Sequence, residues 1–208
     1  MNKYKSPYTA ALTGGGFLFA ETDILLPMLL SPDRKALLKE EATHNRLLHI
    51  NSETSRKRNI AEIERRFDVM PLSFWLDYKD MAEADRRVAL FYVVLKTYKI
   101  CFDLHVNVAM RKWNGISKHL DISDLMIEMN EIAAADAFVD SWSDNSKKRV
   151  ASGYLSILRK ACMLDGNGEL HPALCSNYDY YLRCGESWFL EACLLQPYEI
   201  ESIKSRVL

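Results

Sequence analysis

The chain has 208 residues, 49% of them hydrophobic, with 27 Lys and Arg against 28 Asp and Glu. That length fits one large domain or two small ones around a sizeable core, and the balanced charge excludes a globally basic nucleic-acid binder. Five cysteines without C-x-x-C spacing suit reduced thiols in a cytoplasmic protein better than a disulfide framework.

In chain order, residues 1–6 read as a polar, basic arm. Tyr8 to Leu18 leads through Gly14-Gly15-Gly16 into a first helix. No Lys-Ser/Thr pair follows the glycines, so the stretch reads as a turn and not as a phosphate loop. Glu21 to Leu30 reads as a short apolar helix that Pro27 kinks or breaks. Glu21 and Asp23 interrupt the apolar stretch from Phe17, which is not the layout of a signal peptide. Ser31-Pro32-Asp33 predicts the start of a second helix, running to about Arg46. Ser52-Glu53-Thr54-Ser55 predicts a third, with Ile60, Ile63 and Phe67 on its inner face and Met70-Pro71 at its end.

From Pro71 to Asn114 the chain is strongly apolar and helical, with Phe74, Trp75, Val88, Phe91, Tyr92, Leu95 and Tyr98 expected in the core. Lys96, Lys99, Asp103 and His105 interrupt Val88 to Met110, so it reads as a buried helix and not a membrane span. Asn114-Gly115 divides an N-terminal helical region, 1–114, from a C-terminal region, 115–208, within one globule. Ile122 to Val139 reads as an acidic amphipathic helix or pair, with Leu125, Met126, Met129, Ile132, Ala133 and Phe138 inward. In the tail, short helical pieces are expected around Tyr180-Tyr181, Trp188-Phe189 and Leu194-Leu195. No long alternating pattern occurs, so the fold class is all-α with at most a small hairpin at Met163 to Leu170.

Charge is distributed unevenly. Ser52 to Arg66 holds five Lys/Arg against three Glu, Asn145 to Lys160 holds five against none, and Asp121 to Asp140 holds six acids and no base. Ser143 is a good N-cap. Behind it Val150, Tyr154, Ile157, Leu158 and Ala161 form one apolar face. At 100° per residue the opposite face carries Asn145, Lys148, Ser152, Ser156 and Arg159, with Arg149 beside it and Lys147 at the margin. Small Ser152 and Ser156 permit close approach to a groove. Lys148 and Arg149 suit guanine edges or phosphates, and Asn145 suits adenine. The turn Asp165-Gly166-Asn167-Gly168 between Met163-Leu164 and Glu169-Leu170 signals a hairpin, which after such a helix reads as a wing. The motif has an echo. Ser52 to Arg58 aligns without gaps on Ser143 to Arg149, with four of seven positions identical and two more keeping their charge. This suggests two helix-turn-helix-like units. The first fits less well: Arg56 falls on its core side and Glu62 on the outer face, leaving Lys57, Arg58 and Arg65 as its contacts.

Catalytic patterns are weak. There is no H-E-x-x-H or G-x-S-x-G, and no dinucleotide fingerprint after a strand. The C-terminal cysteines with His171 match no zinc spacing. Asp33-Arg34-Lys35 and Asp77-Tyr78-Lys79 resemble fragments of a nuclease motif but lie in helical text. His105 and His119 lack an evident nucleophile partner. The expectation is a non-enzyme without metal or cofactor.

YTAALTGGGFL, SETSRKR and WSDNSKKR with its wing-like turn together resemble the BrxA family of BREX phage-defence systems. The resemblance implies a small cytoplasmic all-helical protein that binds double-stranded DNA through two helix-turn-helix motifs. It also implies that the protein, a monomer on its own and not membrane-bound, works beside a methyltransferase, an ATPase, a phosphatase-like protein and a protease. The alternatives are a protein-interaction scaffold in that complex, or a NusB-like RNA-binding protein.

Overall fold

The computed structural model of the chain describes residues 5–11 and 15–207. Residues 1–4 of the expected arm and Gly14 of the glycine turn lie outside them. Among the described residues there are thirteen α-helices and no strand, which is the expected all-α class. One buried apolar cluster runs from Phe17 to Ile203.

Gly15 to Phe17 form the turn into α1 (Phe19–Leu29), with Gly16 at φ 64°. Pro27 lies inside α1 without breaking it. α2 (Arg34–His44) begins after Ser31-Pro32-Asp33, because the Ser31 hydroxyl accepts the Asp33 N–H at 3.1 Å and forms a turn instead of a cap. α2 stops two residues short of Arg46. Buried Glu41 accepts the N–H groups of Arg46 (3.1 Å) and Leu48 (2.9 Å), drawing the chain back over its end. α3 (Glu53–Val69) is capped by Ser52, whose Oγ accepts from the Ser55 N–H at 3.3 Å. Arg56, on its inner side, donates to the carbonyls of Ala42, Thr43 and Ile50. These include orphan acceptors at the end of α2, so one guanidinium locks α2 to α3.

α4 (Leu72–Asp80) and α5 (Glu83–Thr97) follow. Every residue from Val88 to Leu95 is buried, so α5 is the central post of the fold. No helix among the described residues is long and apolar enough to cross a membrane. Arg66 of α3 is 1% exposed, and donates to the carbonyls of Gly16 (2.6 Å) and Phe17 (2.7 Å) and to the Tyr98 hydroxyl (3.2 Å). Arg87 of α5 lies over the Phe19 ring at 4.2 Å and donates to the Lys160 carbonyl at 3.0 Å.

α6 (Lys99–Leu104), a π-helical turn (His105–Ala109) and α7 (Met110–Trp113) lead to Asn114-Gly115. α8 (Ile122–Ala135) begins with a capping box between Asp121 and Asp124. α9 (Ala137–Asp140) and α10 (Asp144–Lys160) follow. Phe138 is 49% exposed and not inward, because α9 is a separate turn capped by Asp136 and its rotation is not that of α8. After α10 the expected hairpin is reduced to isolated antiparallel bridges, Leu164 with Leu170 and His119 with Glu169. The segment before α8 therefore joins the turn: Leu120 N–H donates to the Gly168 carbonyl at 2.8 Å. Gly168, at φ 85°, must be glycine, since a Cβ there would lie 2.7 Å from His119 Cε1. In the tail are α11 (Asp179–Arg183), α12 (Trp188–Ala192) and α13 (Pro197–Val207). Leu194 is left-handed at φ 58°, so Leu194-Leu195 forms a buried link and not a helix.

His105 holds three parts of this fold together. Its Nε2 lies 2.8 Å from the Ala192 carbonyl and its Nδ1 lies 2.7 Å from the Tyr154 hydroxyl. A carbonyl only accepts, so Nε2 carries the proton and Tyr154 donates to Nδ1. Burial lowers the imidazole pKa to about 4. The unfolded chain takes up a proton near pH 6.5, which the folded chain resists. Stability contributed by the neutral ring is therefore complete above about pH 6.5, and falls by about 3 kcal/mol as pH drops toward 4. Urea unfolding of wild type and His105→Gln across that range measures it. If the variant keeps the full pH slope, His105 is not its source.

Candidate nucleic-acid interface

α10 divides cleanly. Val150, Tyr154, Ile157, Leu158 and Ala161 are at most 1% exposed, and the helix packs this side against α8 and the core. Ser143 caps it, its Oγ accepting the Ser146 N–H at 3.2 Å. Asn145, Lys148, Arg149, Ser152 and Arg159 are exposed, and Ser156 is half-buried. Lys147 is not part of this outer face. It is 7% exposed, turned to the packed side at the position equivalent to buried Arg56 in the echo.

The outer face borders an open groove of about 370 Å³ lined by Gly16, Asn145, Lys148, Arg149, Ser152, Gly153 and Ser156. Its floor is small because Ser152, Gly153 and Ser156 present little beyond their backbone. Lys148, Arg149 and Arg159 have no carboxylate partner among the described residues, unlike Arg34, Arg86, Arg87, Lys96, Lys99 and Lys112. The Lys160 carbonyl at the end of the helix is held by Arg87.

The echo on α3 is arranged differently. Lys57 is exposed but paired with Glu53 at 2.5 Å, which holds that carboxyl below its ordinary range. Arg65 pairs with Glu62 at 3.4 Å, and Arg58 is exposed. Glu62 does not face outward as its helical position suggests: it is 5% exposed, because the glycine turn covers that side of α3. Lys57 and Arg65 thus already have counter-ions, whereas the cations of α10 face solvent without them.

The other candidates occupy structural positions. His105 is spanned by Tyr154 and Ala192, and His119 and His171 lie 3.5 and 3.6 Å from Glu169 and Asp165 at the bridges. Among the described residues no three His, Cys, Asp or Glu side chains are grouped to hold a metal ion. Asp77 accepts from Tyr180 Oη on the side of α4, and Asp33 precedes α2. Sequence reasoning named neither Gly153, which lies on α10 itself, nor Gly16 among the groove residues; Gly16 is the one that no helical wheel could supply. It lies far from α10 in the chain, and no local pattern links the two.

The fold is similar to that of an uncharacterized protein from Magnetospirillum magneticum, known from a crystal structure. The TM-score is 0.76 at 18% identity, over 91% of this chain and 98% of that one. No curated protein matches the chain. A family model described as BrxA matches residues 6–178.

The cap that sets the start of α10 has a measurable value. Ser143→Ala removes the acceptor of the Ser146 N–H and is expected to lower stability by about 1 kcal/mol. Chemical denaturation checks this; an unchanged midpoint removes the cap from the account.

Proposed function

The chain belongs to the BrxA family, whose members are associated with BREX systems, and from that premise we propose that it is a non-catalytic, double-stranded-DNA-binding accessory protein. The reading is carried by one observation: the outer face of α10 holds Lys148, Arg149 and Arg159 without carboxylate partners beside a groove with a small-residue floor.

An exposed helix with small outward residues fits the major groove. Lys148 and Arg149 near its N-terminus reach phosphates or guanine, and Asn145 matches the donor and acceptor pair of adenine. Ser152 and Ser156 keep the backbone close, and Arg159 extends the contact. Helix α8, the turn through α9, and α10 act as the helix-turn-helix, with the bridged turn after α10 as a vestigial wing. That turn carries Asp165 and Glu169 and no Lys or Arg, so it positions α10 and adds no positive charge. Lys57, Arg58 and Arg65 make a second, weaker patch, because two of them must first leave a carboxylate. With net charge −1, affinity comes from local cations and falls steeply with salt. The protein acts in the cytoplasm, as a monomer on its own, beside other BREX components such as the methyltransferase, the ATPase and the phosphatase-like protein.

Fluorescence anisotropy with a duplex at several salt concentrations tests this. Lys148→Glu with Arg149→Glu is expected to weaken binding by about 10- to 100-fold and to reduce the salt slope by about 2. Single-stranded and duplex RNA serve as comparisons. Unchanged duplex affinity in a folded double variant removes α10 as the site, and preference for RNA overturns the DNA reading.

A further inference from the structure

The groove on α10 has a second wall from the other end of the chain. Gly16 lines it opposite Lys148 and Arg149. The carbonyls of Gly16 and Phe17 are turned inward onto Arg66 at 2.6 and 2.7 Å, so this stretch of backbone is fixed and not a loose loop. Burial lowers the Arg66 pKa to about 10, which leaves it charged at neutral pH, with Glu62 at 3.7 Å beside it. On its other side the turn rests against α3: a Cβ on Gly15 would lie 3.4 Å from Glu62 Cγ. A Cβ on Gly16, by contrast, would meet nothing within 4 Å. The outward side of Gly16 is therefore open space in the groove, next to two cations that lack a counter-ion.

We infer that the Gly15-Gly16 turn is part of the binding site and seats a backbone phosphate of the nucleic acid between itself, Lys148 and Arg149. This rests on the reading of α10 as the DNA-binding helix. Three features fit a phosphate in particular. The two cations supply the charge, Ser152 and Ser156 supply hydroxyl donors, and the absence of a side chain at Gly16 leaves room for the sugar-phosphate chain to pass.

Gly16→Asp and Gly16→Asn test the assignment. Asn and Asp tolerate the left-handed backbone better than other non-glycine residues, and the space beyond is empty. Both variants should keep the wild-type circular dichroism spectrum, with melting temperatures lowered by only a few degrees. In duplex anisotropy titrations Gly16→Asp is expected to weaken binding by about tenfold or more, with Gly16→Asn intermediate, because the first adds charge and bulk and the second bulk alone. If both bind as wild type while Lys148→Glu/Arg149→Glu is defective, the inference falls and the α10 site stands. If wild type binds no duplex, or the α10 variant binds normally, both readings fall. Should Gly16→Asp unfold, a folded Gly16→Asn variant with wild-type affinity is enough to overturn the inference.

Discussion

Arg66 is the constraint on which the arrangement depends. A guanidinium that is 1% exposed must have its donors satisfied, and a buried charge left uncompensated costs about 3–5 kcal/mol. Its planar fork meets two carbonyls of the glycine turn and the hydroxyl of Tyr98, which stands at the junction of α5 and α6. Lysine has no such fork. One side chain thus fixes α3, the turn entering α1 and the central helix in a single plane of hydrogen bonds.

The two echoing segments show how one local sequence serves two purposes. In both, a serine caps the helix and the cation four residues later is buried, Arg56 in one and Lys147 in the other. Beyond that point they diverge. On α3, Glu53 and Glu62 neutralise Lys57 and Arg65, and the helix is committed to holding α2 and the glycine turn. On α10 no acid lies within the helix after Asp144, and its cations stay available to a ligand. The difference lies in where the carboxylates stand, not in the number of bases.

Caps and periodicity were readable because they are local. Ser52 and Ser143 start their helices, Asn114-Gly115 ends its block, and the apolar faces of α3, α5 and α10 point inward as their spacing predicts. What sequence reading missed was set either by side chains that capture nearby backbone groups or by partners distant in the chain. Glu41 ends α2 by offering its carboxylate to backbone N–H groups beyond it. A helical wheel places Glu62 away from the apolar face of α3, yet says nothing of the glycine turn that covers it. Lys147 follows the same logic in reverse, as a base drawn to the packed side. Phe138 lies outward because Asp136 starts a new turn. For the candidate site, the face of α10 could be drawn from sequence, while the opposing wall at Gly16 could not.

Arg87 carries a further consequence. Its guanidinium lies on Phe19, at the start of α1 just beyond the glycine turn, and also holds the last turn of α10 through the Lys160 carbonyl. Both flanks of the groove are therefore anchored to α5 before any ligand arrives. A cleft assembled in advance loses little conformational entropy when it is filled. Encounter is then governed by diffusion and long-range charge, and discrimination among ligands appears in how long each one stays.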